Sequence, residues 1–392
     1  MTPARMLIAS LTCLASGACE PALEVGPGFT DVSPRQLVRT QQGILYAVVP
    51  TCDAYPDCPG SELRAWRADR ALEPQSFRLV DPDAMPRGGI GSAAAALDDQ
   101  GRIQVAWVTR DGHARAAFID PATDRWSAPV TLEATDWTDF GQGDQGVALA
   151  VDATGRPHAC WNRREEGSLR IRCAFRDGEA WTPARTVDLP APGPRRNAWH
   201  PTLAFGPDGT LWLSWLEGSG NYKPDGIIRV RSRGPDGAWR VPEDLAEPAM
   251  TGIDNGPSLL VTADGMVHLA FAGRGNEVRY RFRDASGWHA ADPPLTRTHN
   301  PSLGPDGRGG VWLYAHGPVP ADDLASRAVD LLAMHRPPGG SWGPWQELLK
   351  GRWDCSVAPR WAQFHHVLPG LLDFAFWDDR YPNTLWVGIN TL

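Results

Sequence analysis

The chain has little of what several common protein classes require. Its 46 acidic side chains outnumber 38 basic ones and no basic run occurs, which argues against nucleic acid as the main partner. The chain lacks a CxxC motif with a nearby histidine, so the cysteines do not indicate a zinc site. After the first 20 residues, no apolar stretch is long enough to span a bilayer as a helix. An apolar content of 42% also excludes wholesale disorder.

Turn-forming residues and tryptophan are abundant instead. The chain contains 41 glycines and 36 prolines, and its 18 tryptophans outnumber 11 phenylalanines and 6 tyrosines. Turn formers combined with aromatic residues are typical of many short strands joined by tight turns. The composition therefore predicts an all-β protein rather than a helical one.

The first residues have the features of an export signal. A short positive segment (1–5) precedes an apolar run (6–15), and Ser16, Gly17 and Ala18 are small residues that suit cleavage after residue 18. Cys19 follows, so the segment resembles a bacterial lipoprotein signal, with Ser16 where Leu is usual. We expect 1–18 to be a signal peptide and 19–27 a tether. Lipidation of Cys19 predicts an outer-membrane lipoprotein held to the membrane only by its lipid, whereas ordinary secretion predicts a periplasmic or extracellular protein.

The remaining cysteines suit an oxidising compartment. Cys160 and Cys173 lie on the two arms of a predicted hairpin, opposite each other, and Cys52 and Cys58 close a short proline-containing loop. We predict both disulfides. Cys355 is then left over, and it could pair with Cys19 if that residue carries no lipid.

A repeat organises the chain from residue 28 onward. Strands ending in an aromatic residue recur every 43 to 63 residues, each preceded by a glycine turn and a strand of small residues. A second tryptophan follows each of the central repeats. The first set of aromatic residues is Tyr46, Trp107, Trp161, Trp215, Phe271, Tyr314 and Trp377, and the second set is Trp126, Trp181, Trp239, Trp288 and Trp342.

One repeat corresponds to a four-stranded antiparallel blade. Small residues suit an inner strand crowded around an axis, and Asp-Gly suits the tight hairpin that follows. A period near 50 residues indicates a repeat architecture. We predict a single β-propeller domain over residues 28–392, with seven blades or, alternatively, six. The last unit lacks an outer strand, which the segment around Leu23–Thr30 could supply.

The hairpins before three of the outer tryptophans share a further motif. Residues 175–181, 232–239 and 282–288 resemble degenerate Asp-box (BNR) repeats, Ser-x-Asp-x-Gly-x-x-Trp, of the sialidase-like propeller superfamily. Residues 377–380 (Trp-Asp-Asp-Arg) are similar to another phrase of that group. The resemblance implies a propeller. The sialidase machinery is not visible, because Arg35 does not stand in an Arg-Ile-Pro-like motif and few tyrosines are available.

Propeller geometry predicts where a site would lie. Loops that enter the inner strands and loops that leave the second strands gather at one mouth over the axis. Two histidines there each stand shortly before a proline, and we treat them as equivalent acid/base candidates together with two tyrosines: His200, His299, Tyr222 and Tyr381. The expected binding residues are Arg87, Asp144, Trp199, Glu217, Asp254, Asn255, Asn300, Asp354 and Arg380.

The predicted roles differ among these residues. Trp199 falls outside the tryptophan period, so we expect it to stack on a sugar ring, whereas the periodic tryptophans should pack between blades. Polar residues at strand starts also commonly cap turns.

The sequence also gives expectations about cofactors and assembly. We expect no cofactor, although the Asp-rich loops could take calcium, and we expect a monomer. The entry residues differ from blade to blade, which favours one asymmetric central site over repeated equivalent sites.

Three functions fit this pattern. The first is an exported propeller that binds a glycan or polysaccharide at its mouth. The second is a polysaccharide-degrading hydrolase or lyase, in which an arginine would neutralise a uronate carboxylate while His or Tyr takes the adjacent proton. The third is a cell-surface scaffold that binds protein. Sequence alone does not separate a binding pocket from a catalytic one.

Overall fold

The fold is known from a computed structural model of the chain. It describes residues 22–27, 36–51, 61–69, 77–109, 111–134, 146–188, 196–219, 225–249, 256–274, 277–295, 298–317, 331–349, 359–365, 371–378 and 384–391. For the first strand and the last three strands, it describes the backbone only.

Thirty strands account for all the regular structure in this part of the chain. The first is β1 (Ala22–Pro27). Blade 1 follows with β2 (Leu37–Arg39), β3 (Leu45–Pro50), β4 (Leu63–Ala68) and β5 (Phe77–Leu79); blade 2 with β6 (Ile90–Leu97), β7 (Ile103–Thr109), β8 (Ala114–Asp120), β9 (Arg125–Trp126) and β10 (Val130–Glu133); and blade 3 with β11 (Val147–Val151), β12 (Pro157–Glu165), β13 (Ser168–Asp177), β14 (Ala180–Trp181) and β15 (Arg185–Thr186).

The remaining strands continue in the same order. Blade 4 contains β16 (Asn197–Phe205), β17 (Leu211–Gly218), β18 (Gly226–Arg233) and β19 (Glu243–Ala249); blade 5 contains β20 (Ser258–Val261), β21 (Val267–Ala272), β22 (Val278–Asp284) and β23 (Gly287–Ala290); blade 6 contains β24 (His299–Pro305), β25 (Val311–His316), β26 (Leu331–Arg336) and β27 (Gln346–Leu349); and the last three strands are β28 (Pro359–His365), β29 (Leu371–Asp378) and β30 (Thr384–Thr391).

These strands form a β-propeller of four-stranded antiparallel blades, which confirms the predicted fold class. In blades 2 and 3 the outermost position is divided between two short strands. The first strand of each sheet contacts the first strands of the two neighbouring sheets, so that β2, β6, β11, β16, β20, β24 and β28 form a ring that closes on itself. Blades 1 to 6 are built from consecutive strands, and a seventh sheet unites the two ends of the chain.

The seventh sheet, here called the closing sheet, has the order β1-β30-β29-β28. Antiparallel pairing of β1 with β30 sets Ala22 opposite Gly388 and Pro27 opposite Thr384. The outer strand of the last sheet therefore comes from residues 22–27, which overlap the segment around Leu23–Thr30 that the sequence suggested for this position. The expected domain boundary was wrong by six residues, because 22–27, assigned to a tether, belong to the propeller.

Glycine turns join the first and second strands of the blades, as the repeat predicted. Gly101, Gly155, Gly209 and Gly265 have φ between 77° and 84°, a left-handed conformation that a side chain disfavours. An aspartate commonly fixes the turn: one Asp98 oxygen accepts the backbone N–H groups of residue 100 (3.0 Å) and residue 102 (2.8 Å). The same arrangement recurs at Asp152 and Asp306, whereas Asp208 and Asp264 each accept the backbone N–H two residues further on.

The core consists of layers between adjacent blades rather than one central mass. Small residues of the inner strands, such as the alanines of β6, are buried against the second strand of their own blade and against the next blade. The outer tryptophans fill these layers from the rim. Trp288 donates its indole N–H to Glu243 of the preceding blade (2.6 Å), and Trp342 donates to the Ala291 carbonyl (2.6 Å). Their predicted structural role is therefore confirmed.

The predicted bond between Cys160 and Cys173 is present. The two residues are directly paired across β12 and β13, with their Cα atoms 4.1 Å apart. Both lie in or against the core between blades 3 and 4. A closed loop of this length in the unfolded chain is expected to stabilise the fold by about 3 kcal/mol. Cys52, Cys58, Cys19 and Cys355 lie outside the described residues, so the second disulfide stays a prediction.

Two buried histidines lie near the glycine turns, on the face away from the predicted mouth. Burial lowers the pKa of His158 to about 4, although its ring nitrogen lies 3.3 Å from Asp152. Burial, with the nearby positive charge of Arg336, also lowers the pKa of His268 to about 4. The His268 ring lies 3.0 Å from the Thr262 hydroxyl and 2.6 Å from the Tyr280 hydroxyl. Both rings are therefore neutral in the folded protein near neutral pH.

We predict that the free energy of unfolding falls as the pH is lowered from about 6.5 to about 4. In this window the unfolded histidines bind protons and the folded ones do not, so protonation favours the unfolded chain. Each depressed pKa amounts to roughly 3 kcal/mol at the acidic end. Burial raises the pKa of Asp188, which works in the opposite direction. Urea unfolding at a series of pH values measures the effect.

The double variant His158→Gln, His268→Gln is the control for this prediction. Its profile should be flatter than that of the natural chain between pH 6.5 and pH 4. Carboxylates with lowered pKa values, such as Asp152, add their loss of stability only at lower pH, below their ordinary value of 3.8. A natural chain equally stable at pH 6.5 and pH 4.5 would contradict the assignment.

Candidate functional site

The inner strands begin, and the second strands end, at one face of the ring, here called the mouth. It includes the start of β16 at residue 197, which pairs with the end of β17 at residue 218, and the start of β24, whose residue 299 pairs with residue 316. The glycine turns lie at the opposite face. A site at the mouth is therefore built from short irregular segments that regular strands hold in place.

Four inner strands, β6, β16, β24 and β28, have a register shift where they reach the mouth. The register shifts between Trp199 and Thr202 in β16 and between His299 and Ser302 in β24. Within these bulges His200 has a φ of 50° and Asn300 a φ of 51°. Each residue precedes a proline, which further disfavours helical conformations, so both positions carry backbone strain of about 1 kcal/mol or more.

This geometry corrects the predicted pairing of the two histidines. The structural counterpart of His200 is Asn300, not His299, because those two residues share the left-handed conformation, the position before proline and the burial. Both are 4% exposed. For His299 only the backbone is described, so its proposed acid/base role stays a prediction.

Blades 3 and 4 approach each other closely beside His200. The Asn162 side-chain amide donates a hydrogen bond to the Ala198 carbonyl, and the Asn162 backbone N–H donates to the Gly146 carbonyl (3.0 Å). A Cβ at residue 146 would lie 2.3 Å from Asn162 Oδ1, 2.9 Å from Pro201 Cδ and 3.2 Å from His200 Cα. Gly146, Asn162 and His200 are called the axis cluster below.

Two amide oxygens at the mouth are buried without a hydrogen-bond donor among the described residues. They are Oδ1 of Asn162 and Oδ1 of Asn300. On its other side Asn300 lies 3.4 Å, amide nitrogen to Nδ1, from His316, which is 2% exposed. Buried acceptors are nearly always satisfied in folded proteins, so an unsatisfied one calls for an explanation. At a mouth over the axis, a bound hydroxyl group is a natural donor.

Glu217 is in a different situation from the one predicted. Its side chain is 2% exposed and lies against two arginines, with Oε2 2.9 Å from Arg229 Nε and Oε1 3.5 Å from Arg196 Nε. A carboxylate enclosed in this way forms ion pairs with both arginines and compensates one of their two charges. The expectation that Glu217 binds ligand directly was therefore wrong; the residue instead positions Arg196, which is the more exposed partner.

The two remaining predicted site residues that the structure describes are Trp199, which is buried, and Arg87, which is exposed. Trp199 is 3% exposed and packs in the core with Leu216 and Ile228, so the expectation that it stacks on a sugar was wrong. A break in the tryptophan period proved to reflect a strand bulge rather than a surface platform. Arg87 is well exposed at the mouth side of blade 1, where its Nε lies 3.4 Å from a Glu62 oxygen.

The other predicted site residues lie outside the part of the chain that the structure describes. They are Tyr222, Tyr381, Asp144, Asp254, Asn255, Asp354 and Arg380. Among the residues that are described, no group of three or more His, Cys, Asp and Glu side chains could hold a metal ion. The expectation about calcium therefore stays untested for the remaining loops.

Sequence reasoning missed the role of Gly146. Gly146 looked like one more small residue of an inner strand, and only the position of blade 4 shows that a methyl group would not fit. Asp188 was also missed, because it follows an exposed strand yet is 2% exposed in the structure. Its burial depends on the fold around it, and no local pattern signals it.

Comparisons with known proteins support the fold and identify no family. No family model matches the chain, and no curated protein matches it in sequence. Among solved structures, the BP39L lectin from Burkholderia pseudomallei is similar with a TM-score of 0.63 at 13% identity, covering 91% of this chain and 98% of the lectin. A PL25 ulvan lyase bound to a saccharide is similar with a TM-score of 0.56 at 10% identity, covering 96% and 94%.

A third similar structure is the NanB sialidase from Streptococcus pneumoniae, in its K499G variant. Its TM-score is 0.51 at 9% identity, covering 92% of this chain and 86% of the sialidase. At identities this low, the structural similarity establishes a shared fold alone. A sialidase-like propeller is consistent with that fold. The Asp-box character of the hairpins stays a prediction. In the described part of the chain, no helix has the length and apolarity needed to cross a membrane.

Because blades 3 and 4 approach closely at the axis cluster, adding one methyl group there should lower stability more than adding one at an open glycine. Gly146→Ala should destabilise the protein by about 1–3 kcal/mol, because the new Cβ would overlap Asn162 and Pro201. Gly343→Ala is the matched control, since a Cβ there meets only the His335 carbonyl oxygen at 3.4 Å, an ordinary contact. Chemical denaturation measures both; equal stability of the two variants would contradict the packing described here.

Proposed function

We propose that the protein binds a carbohydrate at the mouth of the propeller. The observation that carries the proposal is the strained mouth itself, where His200 and Asn300 hold left-handed backbone and two asparagine amide oxygens lack a donor. Strain and unsatisfied polar atoms are retained where they serve a function. Sugar hydroxyl groups donate and accept hydrogen bonds, which suits amide, imidazole and guanidinium side chains.

The similar structures agree with this proposal without establishing it. One is a lectin and others are polysaccharide lyases, including Uly1, which has a TM-score of 0.55 at 9% identity. Because the described polar residues at the mouth differ from blade to blade, we propose one central site. Such a site recognises a single stretch of glycan.

A second candidate is a polysaccharide lyase or hydrolase at the same mouth. It is favoured by the buried imidazole of His200 in the same strand segment as Arg196, which is partly exposed. In a lyase, an arginine would bind a uronate carboxylate and an imidazole or a tyrosine, such as Tyr222 or Tyr381, would take the adjacent proton. The same experiment separates binding from cleavage.

The test uses residues 20–392 with their disulfides oxidised, and a panel of acidic and neutral polysaccharides. Binding is followed by affinity electrophoresis and calorimetry, and the polysaccharides are analysed by mass spectrometry after incubation. Binding with intact polysaccharide supports a lectin-like protein. Fragments that are hydrolysed or unsaturated would establish an enzyme and its reaction class. Absence of both across the panel would contradict the proposed function.

Variants at the two strained positions make the test specific. His200→Gly and Asn300→Gly remove the buried side chains while glycine accepts the left-handed backbone, so relief of strain offsets part of the packing that is lost, and thermal melts confirm that each variant folds. We expect each variant to weaken binding at least tenfold. Asp124→Gly is the control: residue 124 also has a positive φ but lies in the third-to-fourth-strand turn of blade 2, away from the mouth. Unchanged affinity in the first two variants would exclude the mouth.

We further propose that the chain is exported and anchored by a lipid on Cys19. The direction of β1 would place this anchor at the face of the propeller opposite the mouth. β1 starts at Ala22 opposite Gly388, near the end of β30 away from the mouth. Cys19 is three residues earlier, so a lipid there would lie within about 10 Å of this face. An anchored propeller would present its mouth away from the membrane.

Expression of the full chain in a lipoprotein-processing bacterium tests the anchor. We expect the mature protein to enter the detergent phase and to carry acyl mass on its N-terminal peptide. Cys19→Ala should leave the propeller folded but send it to the aqueous phase. A natural chain recovered in the aqueous phase with an unmodified Cys19 would contradict lipidation while leaving export open.

A further inference from the structure

A polar cavity of about 600 Å³ lies beside the central mouth, in blade 3. It is formed by the hairpin between β12 and β13 and by the end of the outer strand region at residues 186–188. We call it the blade-3 pocket. Cavities of this volume are in the usual range for small-molecule sites. It was not among the predicted sites, and it is separate from the strained bulges of β16 and β24.

The charges in this pocket balance. Its described lining includes three arginines, Arg163, Arg164 and Arg170, and three carboxylates, Glu165, Glu166 and Asp188. Serine and threonine hydroxyl groups complete the lining. A pocket with equal numbers of cations and anions has no net attraction for a charged ligand, yet it offers many donors and acceptors. This composition favours a neutral ligand rich in hydroxyl groups.

A second layer of contacts holds the lining in place. Arg172 donates to Glu133 (2.8 Å) and to the Thr186 hydroxyl (2.8 Å), and that hydroxyl lies 3.0 Å from Glu165. Arg163 is paired with the same Glu133. Side chains fixed by such neighbours lose little conformational freedom on binding, which is the condition for a preorganised site.

The floor of the pocket is a buried carboxylate. Asp188 is 2% exposed; one of its oxygens accepts the Ile171 backbone N–H (2.7 Å) and the other lies 3.3 Å from Arg170 Nη1. The Arg170 side chain is itself largely buried. The buried Asp188 carboxylate therefore holds the Arg170 guanidinium in place at the floor, where the remaining N–H groups of Arg170 can donate to a sugar hydroxyl.

The pocket and the axis cluster are carried by the same hairpin. Asn162, whose amide reaches blade 4, is followed directly by Arg163 of the pocket. At the other arm of the hairpin, the Leu169 backbone N–H donates to Asn197 at the start of β16 (2.8 Å). One ligand chain could therefore run from the axis outward along the hairpin.

We propose that the blade-3 pocket is a second saccharide subsite, which binds a neutral sugar unit through its hydroxyl groups beside the central mouth. The inference rests on the proposed carbohydrate function and specifies it: the ligand would be a glycan with at least one uncharged unit outside the axis. The mouth and the pocket together would then select an extended chain rather than a terminal sugar.

The test measures binding of small probes by saturation-transfer NMR. The probes are the methyl glycosides of glucose, galactose, mannose and xylose, with methyl glucuronoside as the charged comparison. We expect at least one neutral glycoside to bind and the charged one to bind more weakly. The double variant Arg164→Ala, Glu165→Gln should weaken neutral-glycoside binding at least fivefold, since it removes one cation and one anion and leaves the net charge unchanged.

Arg176→Ala is the matched control. Residue 176 is on the same strand, β13, but at the end away from the mouth, where it pairs with the exposed Glu179 (2.9 Å). It should leave probe binding unchanged, and circular dichroism melts confirm that all variants fold.

The outcomes separate this inference from the proposed function. If polysaccharide binds but no neutral glycoside does, or if the pocket variant binds its probe as well as the natural chain, the subsite is wrong and the central site stands. Stronger binding of the glucuronoside would likewise overturn the neutral subsite. If neither polysaccharide nor glycoside binds, both proposals fail. Probe binding that is lost in the pocket variant but kept in Arg176→Ala supports the subsite by itself.

Discussion

The crowding of the inner strands around one axis is the constraint on which the rest of the structure depends. Each inner strand packs against the inner strands on both sides, so its buried positions favour small residues, such as the alanines of β6. A single four-stranded sheet would leave both its faces uncovered. The blades therefore become stable together, by burying their faces against one another, and the tryptophans complete these layers from the rim.

Closing the ring makes the two ends of the chain depend on each other. The outermost strand of the closing sheet comes from residues 22–27, and the other three come from the last residues of the chain. Antiparallel pairing of β1 with β30 joins the two ends of the chain within the closing sheet. The same pairing fixes where the chain enters the propeller, at the face opposite the mouth, and so relates the proposed anchor to the proposed binding surface.

The mouth departs from the regularity of the blades. Bulges recur near the mouth in β6, β16, β24 and β28, but the left-handed residues His200 and Asn300 and the charged pocket of blade 3 belong to particular blades. A regular repeat could produce these features only by repeating them. Their restriction to particular blades is what gives the ring a distinct side and allows one site to differ from its surroundings.

The sequence by itself determined the four-stranded blade, the glycine turns, the outer tryptophans and the Cys160–Cys173 bond, because each depends on a short pattern repeated at a regular spacing. Tertiary structure alone decided which candidate site residues are buried and which correspond to one another. Trp199 and Glu217 looked like ligand contacts but are buried, and His200 matches Asn300 rather than His299, because a bulge shifts the register by an amount that spacing does not reveal. Burial and strain arise where blades meet, between residues far apart in sequence.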